Sequence, residues 1–253
     1  ETLQLIEAFA KHVTTGMPFV IAKFAVSLDG KIATRAGDSK WLSSTQARQF
    51  AHELRAEVDA VMQELQRQRI VDEIPDTLIF VEHSEVITVG RRAKVDGITA
   101  PDGYASREVD RGGGITWHGP GQLVGYPVFR WREESVRKVI TLIEEWIIRS
   151  LADFGVRAER NTAMMGVWLD GLKIGSIGLQ FSQWVSRHGF DINLATPGDR
   201  LQAVEGCGLP AGRHTSLATL GHEVPMEAMG AVMLAKMPEI LGREMTTERS
   251  WDS

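Results

Sequence analysis

Residues 110–127 read DRGGGITWHGPGQLVGYP, and six of these eighteen positions are glycine while two are proline. Apolar side chains at Ile115, Leu123 and Val124 sit among them, as in a loop packed against something. A backbone this bare has few physical uses. A phosphate cradle requires Gly-Lys-Ser/Thr opening a helix, and no such triplet follows. A dinucleotide fingerprint requires a third glycine after Gly112-x-Gly114, and Trp117 stands in that position. Two readings remain. The stretch is either a glycine-rich turn packed closely for structural reasons, or a wall of backbone along which an elongated ligand lies, with Arg111 and His118 as polar points in an apolar slot.

Around this loop the chain has the composition of a globular protein. Its 253 residues, 43% hydrophobic and 24% charged, suffice for one large domain or two small ones. A net charge of −5 argues against nucleic acid as a partner. The longest apolar run, near residues 139–148, is broken by Glu144 and Glu145, and no amino-terminal apolar segment with a cleavage site is present, so a cytoplasmic protein without a membrane partner is expected. The single cysteine, Cys207, excludes an internal disulfide and fits a reducing compartment. No two of the seven histidines stand three or four residues apart, so no metal is expected.

Periodicity orders the elements. Residues 18–34 read as strand, Asp29-Gly30 turn and strand. A capping-box pattern at Ser43 and Gln46 then opens an apolar stripe through Ala47, Phe50, Leu54, Val58, Val61 and Leu65, which predicts one long helix ending near Ile70. After Pro75 come two strand-like runs around His83-Ser84-Glu85, then the glycine loop, then an amphipathic helix stopping at Gly155. An Asp170-Gly171 hairpin follows, and a Met-rich helix over 226–245 reads as core packing.

Two residues have the chemistry for acyl transfer. Cys207 lies between Gly206 and Gly208, where bare neighbours let a carbonyl approach the sulfur and leave backbone N–H groups for an oxyanion; the alternative is a small buried hydrophobe. Lys173 follows the Asp-Gly turn, where most lysines are solvated, but its flanks Leu172 and Ile174 are apolar and a desolvated lysine acts as a base.

The segments IPDTLIFVEHSEVITVGRR, RGGGITWHGPGQLVGYPV, GVWLDGLKIGSIGL, RHGFDINL and GCG, over about residues 62–220, resemble in order and spacing the octanoyltransferases of lipoate biosynthesis. The resemblance implies an α/β (α+β) catalytic core over 62–253 like that of the biotin and lipoate protein ligases. It implies an enzyme, a lipoyl(octanoyl) transferase working in protein lipoylation without a cofactor. The octanoyl group would leave octanoyl acyl carrier protein, rest on a cysteine as a thioester, and end on a lysine of a lipoyl domain of a 2-oxoacid dehydrogenase or of the glycine cleavage H protein. Carried over, Cys207 and Lys173 take the catalytic places. Arg111, Gly112, Gly113, Gly114, Ile115, Thr116, Trp117, His118, Ser176, Ile177, Gly178, Gly189, Phe190 and Asp191 take the substrate-lining ones. Two positions depart from the pattern: Gly206 replaces the usual proline, and Asp191 stands where a small apolar residue is usual.

Residues 1–61 differ in kind. The stretch from Thr14 to Val61 resembles the opening of the riboflavin-pathway pyrimidine reductase domain, which implies contacts of Ser39, Trp41 and Arg55 with substrate or NADPH. The rest of that fold is missing, so this segment is expected to be an extra strand-turn-strand-helix piece ahead of the transferase domain. The alternatives to the transferase are an NADPH-binding reductase remnant and a folded but inactive chimera.

Overall fold

The computed structural model describes the backbone of residues 45–101, 104–202 and 213–244, with side chains from Val58 onward except Asp199 and Gln202. The predicted strands at 18–34, the cap at Ser43, and Ser39, Trp41 and Cys207 lie outside the described residues, as does the side chain of Arg55.

Helix α1 (Thr45–Ile70) leads into β1 (Thr77–Val81) and β2 (Val86–Val89), followed by a short α2 (Arg91–Val95), β3 (Ser106–Glu108), β4 (Ile115–His118) and β5 (Gln122–Val128). Next come α3 (Val136–Ala152), β6 (Glu159–Arg160), β7 (Val167–Leu169), β8 (Leu172–Ser182), β9 (Val185–Asn193), α4 (Gly198–Gln202) and α5 (Met226–Leu241). The fold is α+β. Six strands form one antiparallel sheet in the order β1-β5-β9-β8-β7-β6, and β3-β2-β4 form a second, smaller sheet.

Alternation along each strand divides the large sheet into two faces. Leu78, Leu123, Phe190 and Ile192 pack on Val139, Ile143, Trp146 and Ile147 of α3 and on Met229, Met233 and Met237 of α5. Each such side chain stabilises by about 1.5–3 kcal/mol when fully buried. The methionines of α5 are core, as their spacing suggests, and Trp146 Nε1 donates to the Met233 carbonyl at 2.7 Å. Their neighbours in register, Ile79, Val81, Val124, Tyr126 and Val128, face the other way and meet Met62 and Leu65 of α1. Gln66 adds a hydrogen bond from its side-chain amide to the Val185 carbonyl at 2.8 Å. Thus the boundary expected between residues 61 and 62 falls inside one continuous helix, whose last turns pack on the large sheet.

Two hairpins are closed by left-handed residues. Asp170 (φ 51°) and Gly171 (φ 75°) make the predicted two-residue turn between β7 and β8. The β8–β9 hairpin uses Gln183 (φ 47°) and Trp184 (φ 60°), a turn with no glycine and hence no mark in the sequence. No helix among the described residues is long and apolar enough to cross a membrane.

Candidate active site

The pocket lies on the face of the large sheet opposite α3 and α5, where the small sheet folds over it. In register across three strands, Val124 of β5 pairs with Asp191 of β9, which pairs with Ser176 of β8; one step along, Gly178 pairs with Gly189. These residues and Tyr126 make the floor, and Arg111, Gly112, Thr116 and His118 make the roof. The space between them holds about 400 Å³, part of it continuous with solvent.

Of the residues named from the sequence, Arg111, Gly112, Thr116, His118, Ser176, Ile177, Gly178, Gly189, Phe190 and Asp191 meet at this pocket, whereas Gly113, Gly114, Ile115 and Trp117 do not line it. Strand alternation accounts for two of the four: with Thr116 and His118 turned to the pocket, Ile115 and Trp117 turn into a separate core with Ile87, Val89, Ala93 and Leu201. Gly113 and Gly114 instead offer their carbonyls to Arg92 N at 3.1 Å and Gly90 N at 3.0 Å. A Cβ on Gly90 would lie 2.5 Å from the Gly113 oxygen, so this approach needs bare backbone. Gly112 lines the pocket, whereas Gly125, whose Cβ would sit 2.2 Å from the Phe190 ring, is closely packed.

Polar groups hold the walls. The Arg111 guanidinium donates to Thr88 Oγ1 (2.8 Å), the Thr88 carbonyl (2.9 Å) and the Gly112 carbonyl (3.0 Å). His118 Nδ1 meets Gln122 Oε1 at 2.8 Å, and His83 Nε2 meets the Tyr126 hydroxyl at 2.6 Å. Arg187 and His188 are consecutive on β9 yet both reach Asp110, at 2.5 and 2.8 Å. Side chains on a regular strand would diverge, and the left-handed backbone of His188 (φ 60°) turns them together. Burial works against the Asp110 carboxylate, but the His188 hydrogen bond and the Arg187 charge outweigh it and hold its pKa below the ordinary value.

Lys173 is 2% exposed, although it follows a surface turn. Its stem crosses Gly166, where a Cβ would lie 2.5 Å from Lys173 Cε. Its backbone N donates to the Arg213 carbonyl at 2.8 Å, and its carbonyl accepts from Thr215 N at 3.0 Å. Two titratable groups feel its charge. Burial first, and the lysine second, lower the pKa of His214 to about 4. Burial raises Asp191 to about 6, against the pull of the Ser176 backbone N–H, Lys173 and Arg111. Among the described residues no cluster of three or more His, Cys, Asp or Glu is arranged to hold a metal ion.

The model of the lipoyl protein ligase A/B catalytic domain matches residues 56–238. The chain belongs to this family. An octanoyltransferase of Rubrobacter xylanophilus is 39% identical over 196 residues, covering 74% of this chain and 89% of its own. An octanoyltransferase of Geobacter metallireducens is 37% identical over 174 residues, covering 68% and 81%. The chain is accordingly an acyltransferase of lipoate-related chemistry. A bi-partite lipoate protein ligase from Thermoplasma acidophilum shares its fold, with a TM-score of 0.57 over 94% of this chain and 88% of that one at 12% identity. A lipoate-protein ligase A bound with ATP does so with a TM-score of 0.56, over 76% and 85%, at 15% identity. The model of the RibD C-terminal domain matches residues 18–72, so the two family matches overlap over 56–72, the last turns of α1 and the two residues after it.

Sequence reasoning missed Thr88, which holds Arg111, and Val124 and Tyr126, which line the pocket. For Val124 and Tyr126 the period-two pattern of β5 was a usable signal. For Thr88, a threonine in an apolar strand, there was none.

Proposed function

We propose that this protein is a lipoyl(octanoyl) transferase, carrying an octanoyl group from acyl carrier protein through a thioester on Cys207 to a lysine of a lipoyl domain. The observation that carries this reading is a pocket with bare backbone at Gly112, Gly178 and Gly189, beside a buried lysine. An alkyl chain gains by leaving water for such a surface. Lys173 is the polar group for the chemistry: as an ammonium it stabilises a thiolate or the oxyanion, and as an amine it accepts the thiol proton. Cys207 precedes Arg213 by six residues, and Arg213 is hydrogen-bonded to Lys173, which supports a thiol working together with this lysine. The names of the relatives support the octanoyl group as cargo.

The test is mass spectrometry of the purified chain after exposure to octanoyl acyl carrier protein. Wild type gains one hydroxylamine-labile octanoyl mass and loses it to a lipoyl domain, while Cys207→Ser gains none. Full-rate turnover by Cys207→Ser would end the covalent reading.

A further inference from the structure

Asp191 is the one carboxylate among the described residues lining the pocket, and the proposed chemistry has not yet used it. It sits mid-strand between Val124 and Ser176, is 4% exposed, and accepts a hydrogen bond from Ser176 N at 3.0 Å. The groups that face it are cationic or neutral: Arg111 from the loop before β4, His118 of β4, Tyr126 of β5, Lys173 of β8 and His188 of β9. Arg111 is committed to Thr88 and Gly112.

An acceptor lysine reaches this pocket as an ammonium, because its reference pKa of about 10.4 leaves fewer than about one amine in a thousand free at neutral pH. Arg111 and Lys173 repel it. Among the described residues lining the pocket, Asp191 is the carboxylate that attracts it, and only after the proton leaves can the nitrogen attack a carbonyl. On the reading that this is an acyltransferase to lysine, we infer that Asp191 receives the ε-ammonium of the acceptor and takes its proton, as general base of the transfer step. The resulting amine adds to the thioester carbonyl: the N–C bond forms, the C–S bond breaks, and sulfur leaves as thiolate. The second nitrogen proton ends on that sulfur, Asp191 releases its own proton to solvent, and nothing is oxidised or reduced. A carboxyl raised by burial into the range near neutrality suits this task, being mostly ionised at pH 7.5 and still basic enough to hold the proton.

The experiment uses the full chain preloaded from octanoyl acyl carrier protein, which caps the thiol so that its titration is not seen. The loaded protein is mixed with a lipoyl domain between pH 5 and 9, and transfer is followed by quenched mass spectrometry. In wild type the rate climbs with pH up to about 6 and then levels. Asp191→Asn still takes up the octanoyl mass but passes it on about 100-fold more slowly or worse, without that limb. Histidine side chains as a class titrate near this range, so the variant and not the wild-type profile assigns the group. Transfer by Asp191→Asn within threefold of wild type, with the same limb, overturns the inference. If the asparagine variant does not fold, Asp191→Glu replaces it: a base moved by one methylene shifts the limb, and an unchanged limb overturns the inference. Should wild type take up no octanoyl mass at all, the underlying acyltransfer reading fails instead.

Discussion

Replacing Asp191 with asparagine also has a consequence for stability, with a sign and a size. Burial raises the carboxyl from 3.8 to about 6, so the folded protein holds this proton more tightly than the unfolded chain does. The stability tied to the proton is fully present below about pH 3.8 and is lost as pH rises through 6. About two pKa units at 1.36 kcal/mol each give roughly 3 kcal/mol of destabilisation at alkaline pH, about half of it incurred by pH 5. Asparagine keeps the shape and the Ser176 hydrogen bond without the charge. The variant is therefore expected to become more stable than wild type as pH rises, its advantage growing by about 1.5 kcal/mol between pH 5 and 8. Urea unfolding followed by tryptophan fluorescence at matched pH values measures this difference and cancels the other carboxylates. A difference that is flat in pH, or that shrinks, would refute the argument. A base that costs stability where it is catalytically active is a familiar exchange at active sites.

Two further substitutions probe the walls and the lysine. Gly125→Ala places a methyl 2.2 Å from the Phe190 ring, itself packed edge-on against Phe80 and Trp146, and is expected to cost about 1–3 kcal/mol in urea unfolding; an unchanged midpoint would show that the ring moves freely. Lys173→Arg keeps a positive charge but gives up no proton near neutral pH, and its larger head meets the tight fit over Gly166, so single-turnover transfer is expected to fall almost as far as in Lys173→Ala; near-normal turnover would leave Lys173 a purely electrostatic role.

The chain's local order was legible in its sequence because periodicity and turn chemistry act over short range. The Asp170-Gly171 hairpin, the two strands flanking His83-Ser84-Glu85, the helix stopping before Gly155 and the buried methionines at 229, 233 and 237 each follow from neighbours a few residues apart. The pocket's residue types were legible too, through segments whose order resembles the octanoyltransferases. What tertiary structure alone decided were the pairings between distant positions. Which glycines of 110–127 face the pocket depends on what each one meets: Gly125 lies under Phe190, Gly113 and Gly114 lie on Gly90, Gly119 lies on Trp117, Gly121 lies on Ala195, and Gly112 lines the space. Asp110 gathers Arg187 and His188 across nearly eighty residues because one left-handed residue turns a strand's side chains together. Asp191 stands out in the sequence as a charge at a substrate-lining position, but it becomes a buried carboxyl of altered acidity only when β5, β8 and β9 close around it and bring Lys173 and Arg111 alongside. Desolvation and charge proximity are properties of that enclosure, and no sequence window contains it.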